Sequence, residues 1–296
     1  SPANRVANHH RDHDGLDVLV TDAEKIYNEF SSGAQDITAI RDFMKMLYDE
    51  APAGDECRYL MLFGYASYDY KDRLEDNNNY VPTWEDKRSM NIISSIATDD
   101  FYGFLDDGEG GGGTNLLDIG IGRLGVSTQE SARQMVDKII HYATGGEQVF
   151  GSWRNVVCFV ADDEDGNLHM EDHAEKMAVR LDTSYGYLNV DKIYLDAYEQ
   201  ISTSGGQRAP DVNDAINRRM EKGCLIMNYT GHGGEAGWAH ERILGITDIN
   251  NWDNYDRMPI FITATCEFSR YDDPTRVSAG ELVLLNPDGR AVALFT

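Results

Sequence analysis

Two short apolar runs, residues 224–227 and 260–262, give way abruptly to glycine, threonine and charged side chains. His232 follows the first run and Cys266 follows the second. Buried parallel strands end in this way, and the chemistry of open α/β sheets collects just beyond the carboxyl ends of such strands. We therefore expect the two side chains to meet at one sheet edge as a cysteine–histidine nucleophile pair.

Strand-like runs alternate with helix-like segments along the whole chain, which predicts a mostly parallel sheet with helices on both faces. Besides the two runs above and a final strand, the predicted strands are residues 16–20, 58–63, 116–124, 155–161 and 190–195, and the predicted helices are 22–30, 36–48, 128–142, 171–181, 210–222 and 278–285. Gly145 and Gly146 mark the predicted boundary between an N-terminal α/β subdomain, residues 1–146, and a catalytic subdomain, residues 147–296. A glycine-rich run, residues 108–113, predicts a loop tip.

Charge excludes one large class of partner. The chain has 51 acidic and 26 basic residues, a formal net charge of -25, whereas a nucleic-acid partner needs a basic face. The same acidity suits a soluble or cell-surface protein and offers oxygen ligands for calcium. No apolar run approaches the roughly 20 residues that span a bilayer. Because the chain lacks an initiator Met and ends inside a strand-like run, we expect a fragment of a longer protein.

The glycines around His232 indicate a site that a substrate backbone can approach closely. Gly231 and Gly233 let the chain turn sharply without side-chain clashes. The N–H groups of Gly233 and Cys266 are expected to form an oxyanion hole for a tetrahedral intermediate. Three carboxylates stay open as the group that orients the imidazole, namely Glu235, Glu267 and Asp162.

Further acidic and aromatic residues are candidates for binding. Asp162 and Asp163 follow the strand of residues 155–161, and they read equally well as substrate-recognition or metal-binding residues and as a solvated acidic loop. Trp238 is close enough to His232 in sequence to line a substrate groove. Asp99 and Asp100 are candidate calcium ligands.

These motifs together resemble the gingipain (C25) family of cysteine peptidases in clan CD, which are relatives of caspases. The resemblance rests on the stretches 231–234 and 263–266 and, less directly, on 63–69, 98–102, 118–124 and 160–163. It implies a caspase-like α/β/α sandwich with two subdomains, Cys266 as the nucleophile and His232 as the general base and acid, with the imidazole acting mainly on the leaving amine. No cofactor is implied for the chemistry, and a structural calcium ion is favoured.

A narrower resemblance, carried by residues 229–235 and 238–242, is to the sortase branch of this family in the type IX secretion system. It implies removal of C-terminal secretion signals from cargo proteins and their transfer to lipopolysaccharide. The implied location is the secreted fraction or the outer-membrane surface of a Gram-negative bacterium. The implied partners are protein substrates and components of the secretion system.

Two other classes of function remain open from the sequence. One is a catalytically silent caspase-like module that serves as a calcium-dependent binding or assembly domain. The other is a calcium-dependent surface protein whose acidic loops mediate adhesion. Both predict that replacing Cys266 leaves function intact, and the presence of both Cys266 and His232 argues against them.

Overall fold

The computed structural model describes residues 1–88, 91, 95–110 and 115–296, and it divides the chain into two compact units. The first unit is Ser1–Arg133 with Tyr271–Arg276, and the second is Gln134–Arg270 with Val277–Thr296. The boundary thus falls inside a helix, before the predicted position at residue 146. Of the predicted loop tip, residues 111–113 lie outside the described part of the chain.

The first unit packs helices against a short parallel pair of strands. Its elements are α1 Pro2–His9, α2 Ala23–Phe30, α3 Ile37–Glu50, β1 Tyr59–Phe63, β2 Trp84–Glu85, β3 Ala97–Thr98 and β4 Gly120–Leu124. Strand β1 pairs with β4 in parallel, and β2 pairs with β3 in antiparallel fashion. Asp36 caps α3 by accepting the Thr38 N–H at 2.8 Å, and Ile40 of that helix packs in a buried cluster with Leu62 and Tyr102.

The predicted strand at residues 16–20 is wrong. These residues form no strand, and Leu19 and Val20 are exposed. A run of apolar side chains becomes a buried strand only if a neighbouring strand takes up its backbone hydrogen bonds, which periodicity alone does not reveal. The strand predicted at 116–124 is shortened to β4 for a related reason, since Leu116 and Leu117 are exposed.

Asp99, one of the two predicted calcium ligands, pairs with a basic side chain, and the calcium site there stays a prediction. Both carboxylate oxygens of Asp99 are occupied by Arg123, whose Nε and Nη2 donate to them at 2.7 Å each. The same guanidinium donates to the backbone carbonyls of Gly64 and Val81. Asp99 is thus neutralised by a buried arginine, and Asp100 is an exposed residue at the start of a 3₁₀ turn.

A five-stranded parallel sheet forms the second unit. Its strands are β5 Val156–Ala161, β6 Asn189–Tyr194, β9 Ile226–Thr230, β13 Ile260–Ala264 and β14 Ala293–Phe295, in the order β14-β13-β9-β5-β6. Short strands β7 Ile201–Thr203 and β8 Gly206–Arg208 form a hairpin, and β10 Gly233–Gly234, β11 Gly237–Trp238 and β12 Leu244–Gly245 form a small antiparallel sheet. The helices are α4 Gln129–Thr144, which begins in the first unit, α5 Lys176–Ser184, α6 Pro210–Lys222, α7 Ile246–Asn251 and α8 Ala279–Leu285.

Helices cover both faces of this sheet, as the alternation predicted. Along β5, Val157 and Phe159 belong to the buried cluster that contains Ala178 of α5. Cys158 and Val160 point to the opposite face and pack in the cluster that contains Ile216 of α6. The α/β/α sandwich is therefore confirmed. Within the described residues, no helix is both long and apolar enough to cross a membrane.

Candidate active site

Three neighbouring strands deliver the site residues to one edge of the sheet. Thr230 of β9 lies in register with Ala264 of β13 and with Ala161 of β5. His232 and Cys266 each stand two residues beyond the paired positions Thr230 and Ala264. They therefore leave adjacent strands at the same level, as the strand-end pattern predicted.

Two glycines allow the loops at this edge to touch. A Cβ atom on Gly231 would lie 2.3 Å from Cβ of Asp162, and one on Gly233 would lie 2.4 Å from Oγ1 of Thr265. Thr265 directly precedes Cys266. Because real Cβ contacts are longer than 3 Å, the loop that carries His232 lies against the loop that carries Cys266 only with glycine at these positions.

Cys266 is the one exposed thiol among the four cysteines. Cys158 and Cys224 are fully buried, and burial raises the pKa of the Cys224 thiol to about 12. Between the Cys266 thiol and the His232 imidazole there is no hydrogen bond in the described structure.

The carboxylate beside the His232 ring is Asp165. Its Oδ2 lies 3.0 Å from Nε2 of His232, and Glu164 Oε2 lies 3.7 Å from the same nitrogen. If Nε2 donates to Asp165, the other ring nitrogen carries the lone pair that accepts a proton. Asp165 therefore occupies the position of an orienting carboxylate.

None of the three candidates from the sequence is at this position. Glu235 Oε1 lies 3.7 Å from Nη1 of Arg270, Glu267 is exposed, and the Asp162 carboxylate accepts the His232 backbone N–H at 3.0 Å. The signal that could have found Asp165 is the acidic run 162–165 directly after β5. The sequence did not show which member of the run turns back toward His232.

A tight left-handed turn places Asp165. Asp165, Gly166 and Asn167 all have positive φ, at 55°, 65° and 68°. Asp, Gly and Asn are the residues that adopt this conformation most readily. The turn reverses the chain after β5 and leads into a π-helical segment, Leu168–Glu175, which brings His169 toward the same place.

Asp162 supports the site from inside and does not face a substrate. Its side chain is fully buried, and besides the His232 N–H it accepts the Glu164 N–H at 3.3 Å. Asp163 is partly exposed and accepts a hydrogen bond from Gln200 at 2.6 Å. Burial raises the pKa of Asp163. Asp162 was expected to contact substrate. In the structure it instead holds the loop of His232 in place through backbone hydrogen bonds.

Trp238 is a core residue, not the wall of a groove. It is fully buried and stacks on Tyr229 with ring centroids 4.3 Å apart and an interplanar angle of 7°. Phe261 and Phe268 pack around the same indole. The prediction that Trp238 lines a substrate groove rested on its nearness to His232 in sequence. In the structure β11 pairs with β10, and Trp238 points into the core.

His240 is a site residue that the sequence left unassigned. Its ring lies parallel to that of His232, with centroids 5.5 Å apart and an interplanar angle of 8°. Nδ1 of His240 lies 2.9 Å from Oε1 of Glu164, and this hydrogen bond raises the pKa of His240. His240 and Glu164 thus form a polar flank beside the imidazole.

Two groups of side chains have the spacing of metal ligands in the described structure. Asp162, Asp163 and Glu241 offer three carboxylate oxygens within 4.8 Å of one another, and Asp165, His169 and His232 offer one oxygen and two nitrogens within the same distance. Glu241 is buried, its Oε2 has no hydrogen-bond partner among the described atoms, and burial raises its pKa. The all-oxygen group fits calcium and the mixed group fits a transition metal.

Comparisons with known proteins bear on the family and the fold of the chain. Among curated proteins, gingipain R2 of Porphyromonas gingivalis is 25% identical over 256 residues, which cover 85% of this chain and 28% of that protein. Among solved structures, the Arg-specific cysteine proteinase gingipain R matches with a TM-score of 0.67 and 21% identity, covering 96% of this chain and 57% of that one. This chain thus spans about a quarter of the curated relative, and the structural match supports the fold alone.

A match to dimeric latent PorU from Porphyromonas gingivalis is 33% identical but covers 48% of this chain and 14% of that one, with a TM-score of 0.39. A likeness at that level carries no argument about fold or function. The family profile, by contrast, matches from end to end. Since the profile of Peptidase family C25 covers residues 1–296, this chain belongs to peptidase family C25.

Proposed function

We propose that this chain carries the catalytic site of a cysteine endopeptidase that works through an acyl-enzyme on Cys266. The observation that supports this most is the placement of an exposed thiol and an imidazole at equal levels on adjacent parallel strands. The carboxylate of Asp165, whose Oδ2 lies 3.0 Å from Nε2 of His232, adds the third member of the arrangement. Membership of the family gives the reaction class.

In the proposed reaction, the thiol proton of Cys266 passes to His232, and Sγ attacks the carbonyl carbon of the scissile peptide bond to form a tetrahedral intermediate. The N–H groups of Gly233 and Cys266 stabilise the oxyanion. His232, oriented by Asp165, protonates the leaving amine as the C–N bond breaks, which leaves a thioester on Cys266. Water, deprotonated by His232, then attacks the thioester and releases the acid product and the free thiol.

The narrower proposal is a sortase role in type IX secretion. An amine acceptor in place of water would convert the same thioester chemistry into transpeptidation, with transfer of cargo to lipopolysaccharide after its C-terminal signal is removed. The sequence stretches 229–235 and 238–242 support it. Protein substrates, secretion-system components and an outer-membrane surface location belong to this proposal. Product analysis with a lipopolysaccharide acceptor tests it, because hydrolysis alone would leave only free acid.

Structural calcium is a separate part of the proposal. The supporting residues are the carboxylates of Asp162, Asp163 and Glu241, and no step of the chemistry runs through the ion. Because Asp162 also accepts the His232 backbone N–H, a bound cation would stiffen the loop. Calcium is expected to raise the melting temperature of the wild type, and Glu241→Gln is expected to reduce that rise.

The first experiment measures the rate of Cys266 alkylation by iodoacetamide as a function of pH, in the wild type and in His232→Ala. Peptide mass spectrometry reports the four cysteines separately, so the buried Cys158 and Cys224 act as internal controls. We expect selective labelling of Cys266, faster than in the denatured chain near neutral pH and slowed by loss of His232.

Labelling no faster than in the denatured chain, and indifferent to His232, would instead favour the catalytically silent module. Hydrolysis of a peptide library by the wild type but not by Cys266→Ala then completes the test. Activity that survives Cys266→Ala contradicts the proposed nucleophile.

A further inference from the structure

One group beside the proposed general base, His232, has no role in the chemistry described above. His169 lies at the start of the π-helical segment Leu168–Glu175. Its side chain is 15% exposed, and its buried ring nitrogens make no hydrogen bond in the described structure, although Nε2 lies 3.3 Å from Oδ2 of Asp165. Buried polar atoms without partners cost free energy, so such a group calls for a ligand or another explanation.

The surroundings of His169 have the geometry of a metal site. Oδ2 of Asp165 lies 3.3 Å from Nε2 of His169 and 3.0 Å from Nε2 of His232. The rings of His169 and His232 meet edge to face with centroids 5.3 Å apart. In a tetrahedral zinc site with bonds of about 2.0–2.1 Å, neighbouring ligand atoms are about 3.3 Å apart. The two measured separations are close to this value.

The kinds of ligand atom indicate the class of metal. Two imidazole nitrogens with one carboxylate oxygen suit zinc and related first-row ions, whereas calcium prefers oxygen ligands alone. The side chains of Asp165 and His232 are 55% and 37% exposed, so an ion in solution reaches them directly. The net charge of -25 attracts cations to the protein.

We propose that Asp165, His169 and His232 form a site for a zinc-class divalent ion, which inhibits the enzyme by occupying the imidazole that must carry the proton. Binding of the ion is independent of the proposed peptidase function, while inhibition rests on it. A metal on Nε2 of His232 also takes the oxygen of Asp165 that orients the ring. The bound ion therefore removes the general base and its partner together.

Isothermal titration of the full chain with zinc chloride, in thiol-free buffer, tests the site. The background carries Cys266→Ala, to exclude a thiol ligand, and Ala in place of His9, His10 and His13, because the His9 and His13 rings lie 4.6 Å apart and offer imidazoles elsewhere. One zinc ion per chain is expected in this background. His169→Ala should weaken binding at least tenfold, and the matched control His173→Ala, an exposed residue one turn along, should not.

Equal zinc affinity in the background and in its His169→Ala derivative overturns the site, as does loss of all binding on Cys266→Ala. If His169→Ala lowers the helix content seen by circular dichroism, His169→Gln replaces it. The absorption spectrum of bound cobalt(II) gives a second readout, since bands of a nitrogen and oxygen ligand set must change when His169 is replaced.

Inhibition is measured separately, with Cys266 restored. Zinc is expected to inhibit peptide hydrolysis by the wild type, and His169→Ala should raise the half-inhibitory concentration by the same factor as it weakens binding. Inhibition of each variant is expressed relative to its own rate without zinc, because His169 lies against Asp165 and the His232 ring. Equal inhibition of both enzymes overturns the inhibitory role and assigns inhibition to the thiol. Absence of hydrolysis without zinc counts against the proposed function only, since the titration does not depend on it.

Discussion

At the scale of single residues, the structure identifies Asp165 as the carboxylate beside the His232 ring. Asp165 Oδ2 lies 3.0 Å from Nε2 of His232, in a turn of three left-handed residues. A carboxylate at that position fixes the tautomer and the orientation of the ring and stabilises its charged form. The proposed chemistry at Cys266 therefore depends on a residue that was not among the candidates from the sequence.

Asp165→Asn keeps the shape of the side chain and removes its charge. We expect kcat for peptide hydrolysis to fall by about 10²-fold, with little change in KM, because Asp165 acts through His232 and not on the substrate. The pH profile of kcat should also shift. Asp172→Asn is the matched control, since Asp172 is exposed and pairs with Lys176. Assays in the presence of a chelator exclude effects of a metal ion bound at Asp165. An unchanged pH profile of kcat would contradict the role of Asp165 in orienting His232.

Gly233 and Gly234 form a matched pair of neighbours. A Cβ on Gly233 would lie 2.4 Å from Thr265 Oγ1, while one on Gly234 would meet nothing within 4 Å. Gly233→Ala is expected to push apart the loops that carry His232 and Cys266 and to lower kcat/KM on the order of 10²-fold. Gly234→Ala should leave kcat/KM unchanged. Equal activities of the two variants would show that the close approach at Gly233 is not needed.

At the scale of elements, a buried lysine holds α4 to the end of α8. Nζ of Lys138 donates to the carbonyls of Leu284 and Asn286 at 2.7 and 2.9 Å, so it satisfies groups that a helix end leaves unpaired. Burial lowers the pKa of Lys138 from 10.5 to about 7. The position is thus a structural link whose protonation changes near neutral pH.

The free energy of unfolding should depend on pH through Lys138. Above pH 7, Lys138 is mostly deprotonated in the folded chain. In the unfolded chain it stays mostly protonated up to about pH 10.5. The contribution of Lys138 to the free energy of unfolding therefore increases with pH between about 7 and 10.5, by at most about 1.4 kcal/mol per pH unit. Urea unfolding at pH 7, 8 and 9 measures the free energy of unfolding of both proteins. The value for the wild type minus the value for Lys138→Met should increase with pH.

The control for this series is Lys176→Met, because Lys176 is exposed and pairs only at the surface in the described structure. Its difference from wild type should stay constant over the same pH range. A constant difference for Lys138→Met as well would mean that Lys138 remains fully protonated in the folded chain.

At the scale of the whole molecule, charge is the dominant property. The excess of 51 acidic over 26 basic residues gives a net charge of -25, so the compact state carries substantial self-repulsion. Part of this charge gathers in the second unit around Asp162, Asp163 and Glu241. Stability and activity should therefore respond to ionic conditions more than those of a neutral protein.

Salt is expected to stabilise the fold. Raising sodium chloride to about 0.1 M shortens the screening length to about 10 Å and weakens repulsion between surface carboxylates. We expect the melting temperature to rise by a few degrees, roughly what 1 kcal/mol produces in a chain of this size. Scanning calorimetry at constant pH measures it, with sodium sulfate at equal ionic strength as the control. A fall in melting temperature would show that surface ion pairs outweigh the repulsion.

Much of the architecture was determined by local pattern. Helix α6 has its predicted bounds, and β5, β9 and β13 end close to where apolar runs give way to polar residues. These ends are predictable because a buried strand is apolar and the residues beyond its end are polar. The placement of His232 and Cys266 at one sheet edge follows from that rule. Family membership also followed from the motifs at these two strand ends.

Only the tertiary structure decided which side chains meet. Asp165 reaches the His232 ring through a turn, Asp99 is neutralised by Arg123 from a distant strand, and Trp238 turns into the core because β11 pairs with β10. Segment Tyr271–Arg276 joins the first unit although it follows the last site residue in sequence. Periodicity records whether a side chain is buried, but the identity of its partners depends on loop paths and strand order, which bring together residues far apart in the chain.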